Sequence, residues 1–233
     1  MRDYWDGRAR TNAAWYVDTS IDFADPDMQA FLATGERIVA EALDDAPVSP
    51  GAHGLAVEIG AGLGRVCRAL APRFDRVIGV DISSEMVTRA RELVADERVT
   101  FEVNDGSTLP LPDGCADLVL SFTVFQHIPR VSLINGYLRE AGRVLRPGGV
   151  LVFQWNNLPG PLRWRARRFA LSALQRTGIW REAHGRNAAE FLGSRVPLAV
   201  VNRALVAGGL ALKGTRGGGT MFAWAWATRP VLA

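Results

Sequence analysis

A chain of 233 residues, 48% hydrophobic and 22% charged, holds enough material for one α/β domain with a modest elaboration. A formal net charge of +3 is too small to argue for nucleic acid, no apolar run approaches the roughly 20 residues of a membrane span, and Met1-Arg-Asp-Tyr-Trp-Asp6 lacks the apolar core of a signal peptide. Cys67 and Cys115 show neither metal-ligand spacing nor a disulfide framework, so packing thiols in a reducing cytoplasm are expected. At the N-terminus Tyr4, Trp5, Arg8, Asn12, Trp15 and Tyr16 share helical spacing. A second helix is predicted over 27–43 through Met28, Phe31, Ile38, Val39 and Leu43. Residues 44–53, rich in Asp, Pro and Gly and containing His53, read as a loop.

Leu55-Ala-Val-Glu-Ile59 is a short apolar run that carries an acid, and Gly60, Gly62 and Gly64 follow it. Val66, Cys67, Ala69 and Leu70 then take helical spacing, and Val77-Ile-Gly-Val-Asp81 ends on a second acid. Strand, glycine turn, helix, strand and acid make one nucleotide-binding half of a doubly wound α/β fold. An acid at that second strand tip can accept from both hydroxyls of a ribose. A dinucleotide fingerprint needs a glycine at position 65, where Arg65 stands. Glu58 beside the turn disfavours a pyrophosphate and suits a cationic amino group.

The alternation continues, with strands predicted at 55–59, 77–81, 99–103, 117–122 and 150–155 and helices at 64–71, 84–95 and 131–144. Ser83 and Ser84 are natural N-caps, and Glu85 adds a first-turn acid. Thr123-Val-Phe-Gln-His-Ile-Pro129 leaves the carboxyl end of the fourth strand, where open α/β sheets bind ligands. Arg143 to Phe153 reads as helix, tight turn and fifth strand. Residues 161–186 break the rhythm with seven arginines and one acid, Glu182, interleaved with Trp164, Phe169 and Trp180. Such a stretch is a solvated or packing face, an interaction surface, or a lid over an anionic substrate. A helix over 196–207 and a hairpin of 210–215 with 220–228 close the chain.

Glu58-Ile-Gly-Ala-Gly-Leu-Gly64, Asp81 and the Leu145-Arg-Pro-Gly-Gly149 turn resemble class I S-adenosylmethionine (SAM)-dependent methyltransferases, closely over about 55–155 and in outline elsewhere. The resemblance implies a three-layer αβα sandwich with a doubly wound, mostly parallel seven-stranded sheet whose last strand is antiparallel. It divides the chain into an N-terminal helical lid (1–50), a SAM-binding Rossmann-like core (51–155), an Arg-rich insert (156–189) and a C-terminal helix and hairpin (190–233). Gly60, Ala61, Gly62 and Gly64 then approach the methionine part, Glu58 meets its amino group and Asp81 takes the ribose. Ile82 and Met86 sandwich the adenine, whose edge meets Asn104, Asp105 and Gly106. Phe122 and Gln126 lie near the sulfonium, where an aromatic face favours a cation. Arg8, Arg10 and Tyr16 of the lid are candidates for the SAM carboxylate or the substrate.

A general base is needed where the acceptor must lose a proton. His127, beyond the fourth strand, and His184, in the Arg-rich insert, are the candidates; His127 is also read as a locally packed residue. No Asn-Pro-Pro-Tyr or Asp-Pro-Pro-Tyr run follows the fourth strand, which lowers nucleobase and glutamine substrates. A small-molecule acceptor methylated on O, N or C, in secondary or lipid-quinone metabolism, is the leading expectation, with the Arg-rich insert favouring an anionic one, no metal, and a monomer or homodimer. The alternatives are a SAM-binding fold relative that catalyses a cyclisation or rearrangement, a nicotinamide-dependent reductase, which Arg65 and the missing Tyr-x-x-x-Lys pair oppose, and a non-enzymatic interaction module.

Overall fold

The computed structural model describes residues 1–44, 46, 54–159 and 188–231. Helices α1 (Arg2–Val17) and α2 (Met28–Asp44) come first. The alternating core follows as β1 (Leu55–Ile59), α3 (Arg65–Leu70), β2 (Arg76–Asp81), α4 (Ser84–Leu93), β3 (Val99–Val103) and β4 (Ala116–Ser121). A 3-10 turn at Phe125–His127 leads to α5 (Val131–Val144) and β5 (Leu145–Trp155). The chain closes with α6 (Ala189–Leu192), α7 (Leu198–Ala207), β6 (Ala211–Arg216) and β7 (Ala223–Thr228).

Among the described residues the strands form one seven-stranded sheet in the order β3-β2-β1-β4-β5-β7-β6. The first five are parallel, and β7 runs antiparallel to both β5 and β6. The expected mixed seven-stranded sheet is therefore present. Side-chain alternation along the strands sends Val57, Ile59, Val119 and Phe153 toward α5 and α7, and Ala56, Leu118, Leu120 and Val152 toward α2, α3 and α4. Helices thus cover both faces, which is why the central strands are apolar on both sides. Strand order reverses between β1 and β4, and the crevice outside the carboxyl ends at that reversal is where such sheets bind ligands.

Two elements differ from the sequence reading. The fifth strand begins at Leu145, five residues early, because the Arg146–Gly149 turn lies inside it as an irregularity: Ala116 pairs with Leu145, but Leu118 pairs with Val150. Gly148 N–H donates to the Arg229 carbonyl and Arg229 N–H to the Gly149 carbonyl, so β7 stitches the turn into the sheet edge. Helix α1 is also broken, since Asn12 has φ −166° and ψ 87°. Its side chain accepts from Trp15 N–H and donates to the Phe23 carbonyl, so Asn12 caps the second half of the helix. Residues 160–187 of the Arg-rich insert, with His184, and the loop residue His53 lie outside the described residues.

Candidate active site

A cavity of about 530 Å³ opens at the carboxyl ends of the strands, within the usual range for a ligand site. Its floor is the turn after β1. Gly60 and Gly62 hold φ of 77° and 52°, left-handed values that favour glycine. A side chain at Gly60 would strike Val124, and one at Gly62 would strike Val17 of α1, so the bare turn lets both neighbouring segments close over it. Gly64 does different work. It precedes α3 at φ 79°, and a Cβ there would meet Phe101 and Val94, so its close approach is to the core, not to the cavity.

Three strand tips in a row carry the polar groups. Asp81 at the end of β2 accepts from Gly62 N–H (2.9 Å) and Ser83 N–H (2.9 Å), which ties the acid to the glycine turn. Burial raises its pKa against those donors. Glu58 on β1 is 3% exposed, and its carboxylate accepts from the Cys67 thiol at 2.9 Å. Burial pushes Glu58 up to about 8, against the pull of Cys67 and Arg65. Cys67 is therefore a partner of the site acid as well as packing. Asn104, just past β3, donates from its amide to Tyr137 Oη (2.8 Å) and to the Thr108 carbonyl (3.2 Å).

Asn104 and Gln126 line the cavity, and their buried Oδ1 and Oε1 have no hydrogen-bond partner among the described residues. Buried acceptors left open in this way mark where a ligand's donors belong. Thr123 supports the same location. Its φ of 55° is an outlier for a β-branched residue, stored at the exit of β4.

Of the predicted residues, Tyr16, Glu58, Gly60, Ala61, Gly62, Asp81, Ile82, Met86, Asn104, Phe122, Gln126 and His127 share this cavity. Asp105 and Gly106 are not among its lining. The Asp105 carboxylate turns back to the N–H groups of Thr108 and Ser107, which hold its pKa down at about 2, so it shapes its own loop. Gly106 makes room for Ile82, whose Cδ1 a Cβ there would meet at 2.7 Å. Phe122 is already engaged: its ring stacks on Trp224 at 5.6 Å and receives the Arg65 guanidinium at 5.8 Å. Arg8 stacks on Tyr4 and Tyr16 and donates to Tyr16 Oη, outside the cavity lining, and Arg10 is exposed.

Sequence reasoning missed the fastening of α1. Arg65, the residue that excluded a dinucleotide turn, is 4% exposed and donates to Asp18 Oδ2 at 2.5 Å and to Thr34 Oγ1 at 2.7 Å. Arg2 reaches the carbonyls of Ile82 and Asn104, and Asp6 accepts from Ser83 Oγ and Glu85 N–H. These bonds draw α1 across the tips of β2 and β3. No spacing rule links residues 47 positions apart, so pattern carried no signal for Arg65 with Asp18. Among the described lining residues, Asp18, Glu41, Glu58 and Asp81 face two guanidiniums, Arg37 and Arg65, which favours a cationic ligand.

The polar groups fit S-adenosylmethionine: two open acceptors, an acid at the β2 tip and an acid beside the turn. Residues 57–153 match the family described as methyltransferase domain. Relatives include a 2-methyl-6-phytyl-1,4-hydroquinone methyltransferase of Synechocystis, 37% identical over 43% of this chain and 31% of that protein. Another is a 27-O-demethylrifamycin SV methyltransferase of Amycolatopsis mediterranei, 37% identical over 41% of this chain and 36% of that protein. The chain thus spans about a third of the length of these relatives. The solved structure of magnesium protoporphyrin IX methyltransferase from Synechocystis with bound S-adenosylhomocysteine superposes with a TM-score of 0.60, covering 98% of this chain and 97% of that one at 18% identity. No described helix is long and apolar enough to cross a membrane. With the glycine turn, the acids at the β1 and β2 tips and the β3-β2-β1-β4-β5-β7-β6 sheet, the chain has the Rossmann-like fold of class I SAM-dependent methyltransferases, and its residues 57–153 match a methyltransferase domain, for which S-adenosyl-L-methionine is the cofactor.

Proposed function

We propose that this chain transfers the SAM methyl group to a small-molecule acceptor held in the same cavity. One observation carries the reading: Glu58, Asp81, Asn104 and Gln126, from four successive strand exits, meet in one cavity with open buried acceptors. Following strand order, Asn104 would take the adenine edge, Asp81 the ribose and Glu58 the amino group. Ile82 and Met86 would flank the adenine, and Tyr16 would close the methionine end. SAM supplies a methyl group already activated by its sulfonium, so the protein's share is mainly positioning, which removes the entropy of bringing two reactants together. The relatives named above act, by their names, on a hydroquinone and on a rifamycin, which supports a small molecule over a macromolecule as acceptor.

Glu58 binds the amino group as a carboxylate but is protonated at neutral pH in the free protein, so cofactor uptake releases a proton. His127 is the candidate base, its ring inside the cavity beyond β4. The test is calorimetric titration with S-adenosylhomocysteine, with NADH and NADPH as controls. Binding of the first alone is expected, with heats that change with buffer ionisation enthalpy at pH 7. Binding of a nicotinamide cofactor in its place would overturn the reading.

A further inference from the structure

The cavity continues past the cofactor groups toward β4 and β7, and this end has a composition of its own. Its walls are Trp5 of α1, Phe191 of α6, Ile128, and Met221 and Phe222 from the turn before β7; His127 is the titratable side chain among them. Trp5 meets the His127 ring edge-on with centroids 5.7 Å apart, and the Phe191 ring lies 5.0 Å from it. Met221 and Phe222 are 40% and 54% exposed, an apolar rim at the mouth. Aromatic walls of this kind take a flat ring face-on or edge-on.

The His127 imidazole is held in one form. Its Nδ1 lies 2.5 Å from the Phe191 carbonyl oxygen. A carbonyl only accepts, so Nδ1 carries the proton and the neutral ring presents its lone pair at Nε2. Burial pushes the His127 pKa down, and the Phe191 carbonyl opposes that shift. The rings packed on it, Trp5 and Phe191, carry no charge; the charged groups of the cavity are Asp18, Arg37, Glu41, Glu58, Arg65 and Asp81. Gly193 makes the contact possible. It sits at φ 56°, and a Cβ there would lie 1.7 Å from the Gln126 carbonyl oxygen and 2.8 Å from His127 Cα. Only glycine lets this strand of backbone press onto residues 126–127 and deliver the Phe191 carbonyl two residues before it.

We propose that the acceptor is a phenolic compound, its ring seated between these aromatic walls with its hydroxyl on His127 Nε2, and that Gly193 is the positioning residue that sets the imidazole. This rests on the methyl-transfer reading. The acceptor's O–H proton passes to Nε2, the oxygen forms its bond to the methyl carbon as the carbon–sulfur bond breaks, and that electron pair stays on sulfur as a neutral thioether. A phenol, with a pKa of about 10, is within reach of an imidazole base. An alkylammonium or a carboxylate would be set against these apolar walls without a charged partner. The Arg-rich insert that suggested an anionic acceptor lies outside the described residues.

The experiment uses histidine labelled with nitrogen-15 in the full chain, saturated with S-adenosylhomocysteine and read by NMR. Failure of S-adenosylhomocysteine to bind overturns the methyl-transfer reading and this proposal with it. Given binding, the expected spectrum shows His127 protonated at Nδ1, and 2-naphthol shifts the Nε2 resonance while 2-naphthoate does not. Trp5→Ala should weaken the naphthol response roughly tenfold and leave S-adenosylhomocysteine affinity unchanged. With 2-naphthol as acceptor, His127→Gln should lower kcat about a hundredfold or more. Gly193→Ala should mix the tautomers and lower kcat more than it raises KM. Should that variant not fold, Phe191→Leu decides, because it keeps the carbonyl and must keep the tautomer. An Nε2–H tautomer in the parent protein, a response to 2-naphthoate in place of 2-naphthol, no response to 2-naphthol, or a folded Gly193→Ala protein with an unchanged tautomer overturns the proposal.

Discussion

The wall of the cavity formed by β1, β2 and β3 comes from one continuous stretch, residues 58–104, whereas the opposite wall gathers Trp5, residues 122–128, Phe191 and Phe222 from four distant places. The first wall is fixed by local rules: strand tips, a glycine turn and backbone N–H groups held by Asp81. The second depends on tertiary contacts such as the Phe191 carbonyl on His127 and Trp5 edge-on to the same ring. Between them lies Arg65, which belongs to the first wall by sequence and ties α1 down by its side chain. The contrast teaches that, on the proposed reading, changes to the first wall should alter cofactor binding and changes to the second should alter acceptor binding.

The largest effect should come from breaking the tie. Arg65→Met leaves the Asp18 carboxylate with only its Ser20 donors and the Thr34 hydroxyl without its donor, a loss of about 2–3 kcal/mol in urea unfolding. Hydrogen exchange should quicken across residues 2–17 while β1–β3 stay protected. Equal quickening in both would erase the distinction between the two walls. Next, Asp81→Ala should weaken S-adenosylhomocysteine binding by about 1–3 kcal/mol in calorimetry, because buried hydroxyl partners are lost. An unchanged dissociation constant would show that Asp81 is not the ribose acid.

Glu58 makes a pH test of the local wall. Its pKa is raised from 4.5 to about 8 in the folded protein, so between those values the native state holds a proton that the unfolded chain has released. This contribution is therefore intact below pH 4.5 and lost progressively as pH rises to about 8. Asp81 shifts in the same direction. Glu58→Gln should flatten much of that slope in unliganded unfolding curves at pH 5 and 8, stabilise the free protein at pH 8, and weaken S-adenosylhomocysteine binding. A variant with the parent's slope would show that Glu58 does not titrate in that window. The smallest effect is expected from Asp105→Ala, which should change S-adenosylhomocysteine binding by less than about 0.5 kcal/mol. Asn104→Ala, which removes the open acceptor, should cost more. The reverse order would put the adenine contact back on Asp105.

The seven-stranded sheet and most of the cofactor wall were legible in the sequence, since each rests on signals within a few residues. Short apolar runs set β1 to β4 to within a residue or so, the glycines set the turn, and strand ends placed Glu58 and Asp81. Only the tertiary structure showed that Asn104 lines the cavity while the Asp105 carboxylate turns to Ser107 and Thr108 of its own loop. It likewise decided that Phe122 stacks on Trp224, that Cys67 serves Glu58, and that Arg65 reaches Asp18. Local patterns record which face of a strand or helix is buried. They hold no information on which distant backbone carbonyl will meet an imidazole nitrogen, and the His127 end of this cavity is built from such meetings.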